Sequence, residues 1–470
     1  MKKVALIQCA VLLSACSLIP GYERPAMPVP PAWPNAIPTD SRTELKDGEA
    51  NWAEVPWKKF FTDATLQDLI QKALENNRDL RVAALNIEVA RATYQITEAD
   101  LLPSLDAGIS GTGQRTPLAL SQTVPKKAIT SHQYNANVGV TAFELDLFGH
   151  LRSLDQQALE NYLATTEARD ATQLALIAEV ANAYLTLLGD RNQLALAEKT
   201  LATRLKSIEL IEQRLALGMS TELDRAQART AVESARSSRA QYFRLVEQDA
   251  STLQLLIGTP INKASLSGEL VTLQLAEDMP AGLSSDVLLR RPDIMQAEHA
   301  LRAANANIGT ARAAFFPRIS LTGLAGFASP SLSGLFEADA RTWSFAPAIT
   351  LPIFDDGRNH ANLSSAKANR EITVARYEKA IQIAFREVAD CLTARKILLS
   401  QIEAQEMLVT AANTSYQLSD ARYRQGLDNY LTVLDAERSL YSAQHDLIQM
   451  QVQRLSNLVT LYKALGGGRS

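Results

Sequence analysis

The stretches "ADLLPSLDAGISG", Ala99–Gly111, and "AAFFPRISLTGLAG", Ala313–Gly326, decide the fold. Each sets two bulky apolar residues before a proline, then alternates apolar with small or polar residues. The two prolines stand 214 positions apart, as do Asp79 and Asp293, Ala83 and Ala297, and Ala90 and Ala304. Farther on, Gly149, Glu179, Val180, Ala181, Arg214, Gly218 and Leu223 match Gly357, Glu387, Val388, Ala389, Arg422, Gly426 and Leu431 at an offset of 208. Two constant offsets over such a span mark a tandem duplication of about 210 residues, with one loop changed in length.

Each copy predicts the same order of elements. A helical stretch (65–99, then 283–314) leads to two short alternating segments, a very long helix, a glycine and a helical return. A proline inside a helix costs about 3 kcal/mol, and none occurs from Lys126 to Thr259 or after Pro352. The long helices are expected from Gly149 to Gly218 and from Gly357 to Gly426, 69 positions each. At the α-helical rise that is on the order of 100 Å, more than a compact globule needs. Leu174, Ile177, Ala181, Tyr184 and Leu188 have a coiled-coil spacing, as do Ile381, Phe385, Val388 and Leu392. The expected body is elongated and α-helical, the long helices flanked by stacked shorter ones, with returns over 219–258 and 427–465.

The segments between the helices have period two. Leu105, Ala107 and Ile109 share one face, as do Tyr134, Ala136, Val138, Val140 and Ala142. Ile319, Leu321, Ala325 and Phe327 form a third set, and Trp343, Phe345, Ile349, Leu351 and Ile353 a fourth. Four segments of about ten alternating residues fit transmembrane β-strands. A small soluble sandwich is the alternative for any one of them. The N-terminal signal, and the expectation of no apolar helix beyond it, favour the membrane. Four strands cannot close a barrel, and an open edge in lipid leaves backbone groups unsatisfied. The chain is therefore expected to oligomerise, to eight strands as a dimer or twelve as a trimer. The fold class is mainly α with a β-barrel part.

Residues 1–15 have the shape of a secretory signal, with Lys2 and Lys3 before an apolar run and "LSAC" at Leu13–Cys16. Cys16 then sits where a lipobox would be lipidated; an ordinary signal with an incidental cysteine is the alternative. Loss of the two lysines makes the formal charge of −4 more negative, which does not suggest nucleic acid. Cys391 is the one thiol left, so no intrachain disulfide is expected. Seven of the eighteen prolines fall within Pro20–Pro38, read as an extended spacer. The expected divisions are a lipidated spacer at 16–62, repeats at 63–258 and 283–465, a connection at 259–282 and a tail at 466–470.

Several stretches resemble one known family. They include "LSACSLIPGYERP", "ALENNRDLRVAALN", "FELDLFGHLRS", "LLRRPDIMQAEHALRAANANIGTARAAFFPRISL", "LPIFDDGRNHANL", "RYRQGLDNYLTVLDAERSLYSAQ" and "LYKALGGG". Over essentially the whole chain these are similar to the outer-membrane factors of Gram-negative tripartite efflux systems, of the TolC and OprM-like, NodT-type lipoprotein branch. The resemblance implies a homotrimer with a twelve-stranded barrel and a periplasmic helical barrel, anchored by lipid on Cys16 and otherwise without a cofactor. It also implies two partners, a periplasmic adaptor and an inner-membrane resistance-nodulation-division transporter. The family places a gate at the helix tips, here the turns at Gly218 and Gly426. Tyr423 matches a tyrosine that ties neighbouring helices shut, and Arg422 and Arg214 are expected as ionic partners of that latch. Two acidic rings follow the second tip in TolC-like members; the matching positions here are Thr432 and Asp435, so one ring is missing. Asp428 is the candidate substitute. If the rings form, their carboxylates should bind cations or hold raised pKa values; the alternative is that Asp428 and Asp435 are solvated tip charges.

No enzyme constellation emerges. His132, His150, His299, His360 and His445 lack metal spacing, and His299 is expected at the surface or in a cap. "GISGTG" at Gly108–Gly113 has the wrong order for a dinucleotide fingerprint. The expected function is a passive exit duct for small molecules such as drugs. Alternatives are a duct for metal ions or secreted protein, a non-pore periplasmic coiled-coil lipoprotein, or an outer-membrane enzyme with its site in 258–282.

Overall fold

A computed structural model describes residues 17–33, 55–122, 124–125, 127–262, 266, 270, 275 and 284–467. The signal at 1–15, Cys16, residues 34–54, most of the 259–282 connection and residues 468–470 lie outside the described residues. In chain order the elements are α1 (Trp57–Phe60), α2 (Ala64–Asn76), α3 (Arg78–Ala99), β1 (Asp106–Thr116), β2 (Ile129–Leu145), α4 (His150–Ala216) and α5 (Glu222–Ile257). The second copy supplies a 3₁₀ turn (Ser285–Arg290), α6 (Pro292–Ala313), β3 (Arg318–Ser329), β4 (Arg341–Thr350), α7 (Arg358–Arg424) and α8 (Tyr430–Ala464). Both long helices are realised, at 67 residues each.

The expected unbroken first helix is in fact interrupted, at equivalent places in both copies. Asn77 takes an extended backbone (ψ 135°) between α2 and α3. Its Oδ1 accepts the Leu80 N–H at 2.9 Å and its Nδ2 donates to the Leu256 carbonyl at 2.8 Å. A short amide that bonds backbone competes with the helix ladder, which is why it caps better than it continues. At the offset of 214 stands Arg291, likewise extended, and Pro292 opens α6 where its missing N–H has no cost. The Arg291 guanidinium is buried and bonds Asp293 at 2.8 Å, Glu387 at 3.0 Å and the Ala464 carbonyl at 2.7 Å.

The chain divides into two compact units. One contains Asn86–Thr166 and Gln296–Tyr377 with the chain up to Ala26. Its strands form one antiparallel sheet in the order β1-β2-β3-β4, so the two repeats meet at β2 and β3. The register aligns Ala107, Val138, Ala325 and Trp343 in one cross-strand row, and Ile109, Ala136 and Phe327 in the next. Period-two alternation and this register together place the predicted apolar sets on one face. Ala142 is the exception. A bulge between Val140 and Phe143, with Ala142 at φ 53°, shifts the parity so that Phe143 and Leu145 oppose Leu321 and Ile319 instead.

In the same unit the N-terminal chain is not a free spacer. Tyr22 and Arg24 bond Glu298 at 3.2 and 3.0 Å, Asn305 bonds the Pro20 carbonyl at 2.8 Å, and Arg312 bonds the Leu18 carbonyl at 3.1 Å. Burial works to raise the Glu298 pKa, but the bonds from Arg24 and Arg302 outweigh it and hold the carboxyl low. His299 is neither solvated nor a cap: its Nδ1 lies 2.7 Å from Glu160 on α4.

The other unit contains Met27–Leu85, Glu167–Met295 and Glu378–Ser470. Ile177, Ala181, Tyr184 and Leu188 are buried along α4, as are Ile381 and Val388 along α7, as the coiled-coil spacing predicts. Contrary to expectation, α4 is long and apolar enough over one window to cross a membrane; half of that window is buried, since its apolar residues form this seam. The supposed spacer joins this core too. Trp33 stacks on Phe385 at 4.5 Å, and Phe60 stacks on Tyr462 at 4.3 Å. Cys391 packs as a buried apolar residue, and burial pushes its thiol up to about 11.

Candidate functional site: the helix tips

Both tips are built by the same backbone device. Gly218 (φ 70°) and Gly426 (φ 75°) occupy the left-handed region just past α4 and α7. The Gly218 N–H donates to the Leu215 carbonyl at 2.9 Å and the Met219 N–H to the Arg214 carbonyl at 2.8 Å. At the offset of 208 the Gly426 N–H donates to Tyr423 at 2.9 Å and the Leu427 N–H to Arg422 at 3.0 Å. These are the paired bonds of a Schellman stop, which requires positive φ and so favours glycine.

The chain then re-enters a helix by two different caps. Thr221 and Asp224 form a reciprocal capping box at the start of α5. At α8 the Asn429 Oδ1 accepts both the Thr432 N–H at 3.2 Å and its hydroxyl at 2.9 Å. Thr432, the position of the missing acidic ring, thus serves the cap.

Between the tips lies a small core of Ile211, Ala228, Tyr423, Tyr430 and Val433. Tyr423 is buried there, against residues of all four tip helices. Arg214 lies over its ring at 4.7 Å and donates to its carbonyl at 3.1 Å. Within one copy Arg214 is therefore bound to an aromatic face and a carbonyl, and among the described residues it makes no ion pair. Its repeat mate Arg422 points elsewhere and pairs with Asp428 at 2.6 and 3.0 Å.

Within one copy, that pair gives Asp428 a cationic partner. Its carboxyl is held below the ordinary value, first by the hydrogen bond from Arg422 and then by that charge. Asp435 is exposed, 3.8 Å from Arg438 one turn along α8.

The sequence reading missed polar groups deeper in this unit. Arg204 and Glu437 form a buried ion pair at 3.0 Å, and Arg204 also donates to the Ala231 carbonyl at 2.8 Å. Asp190 and Asp249, on α4 and α5, hydrogen-bond each other; burial, then the Asp190 charge, pushes the Asp249 carboxyl up to about 6. Neither pair recurs at the duplication offset, so the repeat gave no signal for them.

Alternating strands joined to two 67-residue helices with tight tips fit a membrane channel protein. Residues 69–259 and 283–467 match the family model "Outer membrane efflux protein". The antibiotic efflux pump outer membrane protein ArpC of Pseudomonas putida is 52% identical over 467 residues, covering 99% of this chain and 95% of that one. The toluene efflux pump outer membrane protein TtgC of the same species shows the same identity and coverage. A crystal structure of a membrane protein from Pseudomonas aeruginosa superposes with a TM-score of 0.89 at 44% identity, over 96% of this chain and 98% of that one. The chain belongs to the outer membrane efflux protein family. It is an outer-membrane channel protein of an efflux pump.

Proposed function

We propose that three copies of this chain form a passive exit duct, joined to a periplasmic adaptor and an inner-membrane resistance-nodulation-division transporter. Each copy gives four strands to a twelve-stranded barrel, and lipid on Cys16 adds an anchor. The observation that carries this reading is the open sheet: among the described residues, β1 and β4 pair on one side only. Such edges in lipid require strands from other copies. With relatives named for antibiotic and toluene efflux, the cargo we infer is small and apolar or amphiphilic. A fluorescent efflux dye should accumulate in cells lacking the gene and fall again with a plasmid copy. Unchanged accumulation in a strain with no second duct would remove the small-molecule assignment.

We further infer that the tips gate this duct. Tyr423 and Arg214 hold the four helix ends of one copy together, and Asp435 presents an exposed charge that three-fold symmetry would repeat around the pore. Like carboxylates brought together attract cations. In a planar bilayer, Asp435→Ala should weaken divalent-cation block of the purified channel. Unchanged conductance and block would leave Asp435 a solvated charge.

A further inference from the structure

The two edge strands are bare. Every residue of β4, and of β1 up to Arg115, is exposed, whereas β3, paired on both sides, is mostly half-buried. Within the chain, β2–β3 is the junction where one repeat hands over to the next. A ring of copies repeats that junction wherever β4 of one copy meets β1 of the next, its partner. The β2–β3 ladder is therefore a template for the contact between copies.

The template fixes a register. Asp106 on β1 and Ser320 on β3 are repeat mates at the offset of 214, and they pair with Gly139 and Ala348. Gly139 and Ala348 differ by 209, one more than the 208 between Gly149 and Gly357. The extra residue is the β2 bulge between Val140 and Phe143. β4 lacks it, since its register with β3 runs unbroken from Arg341 to Thr350. On the strand side of the bulge, Val140↔Gly323 becomes Ile349 against the partner's Ile109. On the helix side, Phe143↔Leu321 becomes Leu351 against the partner's Ala107. The two routes give one and the same antiparallel register. It also sets the apolar rows side by side, which a slip of one residue would reverse.

At the helix end the template relocates a charge. Within one copy His150 lies 3.0 Å from Glu144, whose register partner is Ser320. The repeat mate of His150 is Arg358, that of Glu144 is the uncharged Pro352, and that of Ser320 is Asp106. Between copies the base thus stays at the start of α7, while the acid comes from the partner's β1. Both groups are available. Arg358 and Asp106 are exposed, and among the described residues neither makes an ion pair; Asp106 accepts the Ser104 hydroxyl at 3.4 Å. The helices fit the same scheme. His299 on α6 bonds Glu160 on α4, so the template lays the partner's α3 on α7. Val89 and Ile96 on α3 are exposed, whereas their mates on α6, Ala303 and the Thr310 hydroxyl, are buried.

We propose that copies of this chain join through β4 and the partner's β1 with Ile349 opposite the partner's Ile109, and that Arg358 closes the joint by an ion pair with the partner's Asp106. This joint presupposes the assembly of copies inferred above and assigns the residues that meet in it.

The test uses the full-length protein in detergent, oxidised with copper phenanthroline and run on non-reducing gels. Cys391 is buried, so the introduced cysteines report alone. In Ile349→Cys/Ile109→Cys the opposed Cα atoms fall within disulfide reach, and most of the protein should run as linked dimers and trimers. Ile349→Cys/Ala107→Cys and Ile349→Cys/Gly111→Cys match slips of two residues, which part the pair by about 7 Å or more, and should link at least about tenfold less. Linkage in a slipped pair instead would overturn the register. An oligomer by size-exclusion chromatography with no linkage in any pair would overturn the joint and leave the assembly standing. A wild-type monomer would remove the assembly itself, and the joint with it. Arg358→Asp and Asp106→Arg should each raise the dissociated fraction about fivefold, the upper range for an exposed ion pair. The swap Arg358→Asp/Asp106→Arg should restore wild-type assembly; no rescue would overturn the ion pair.

Discussion

Gly326→Val should abolish the assembled channel, lowering its yield from membranes more than about tenfold, since each unpaired backbone group in lipid costs several kcal/mol. Gly326 on β3 opposes Asn137 on β2. A Cβ there would stand 2.6 Å from the Asn137 Cα and collide with the Ala136 carbonyl. Both obstacles are backbone, so no rotamer change relieves them. The damage falls on the one ladder that unites the repeats, β2 with β3. Without it the sheet separates into two hairpins, and an isolated hairpin is marginal even in water. Gly108→Ala is the control, because its Cβ meets only Asn137 Oδ1, at an ordinary 3.6 Å; it should assemble normally. Size-exclusion chromatography of detergent extracts measures both. Wild-type oligomer from Gly326→Val would refute the strand register.

Arg204→Ala should be the most destabilising single change among the helices of the tip unit, by about 3–5 kcal/mol, the usual cost of orphaning a buried charge. The change strands the Glu437 carboxylate and removes a donor from the Ala231 carbonyl. Burial already raises the Glu437 pKa, even with Arg204 opposing it. A raised folded-state pKa gives stability that is complete below the ordinary carboxylate value and is lost as pH rises through the raised one. The deficit of Arg204→Ala should therefore be larger at pH 7.5 than at pH 5, because a lower pH favours the protonated Glu437 carboxyl. The double variant Arg204→Met/Glu437→Leu should recover most of the loss, because apolar replacements of a buried pair are often neutral. Thermal unfolding of detergent-solubilised protein at the two pH values is the measurement. A loss below about 1 kcal/mol, or one equal at both pH values, would contradict the assignment.

Much of the architecture was legible because it rests on local periodicity and on repetition. The two long helices were readable from proline-free spans ending at glycines, and the strands from period two. Gly218 and Gly426 were legible as tips because a Schellman stop needs a residue that tolerates positive φ. The helix breaks at Asn77 and Arg291 were not, because each depends on side-chain bonds to distant carbonyls, of Leu256 and Ala464. The parity change at Ala142 was hidden for the same reason. A bulge is decided by the partner strand, and the Ala142 N–H finds the Thr322 hydroxyl at 3.1 Å.

The tip residues divide along the same line. By itself the sequence determined the duplication, the order of elements, the matching glycines and the residues available at each tip. Tertiary structure decided what those residues do. Arg214 and Arg422 are equivalent by repeat, yet one lies on the Tyr423 ring and the other pairs with Asp428. The reason is physical: Tyr423 and Asp428 have Leu215 and Ser220 as their repeat mates, so identical arginines meet different surroundings. Periodicity and backbone conformation are properties of a segment and can be read along it. Charge pairing and burial belong to groups far apart in the chain, and only the folded molecule brings them together.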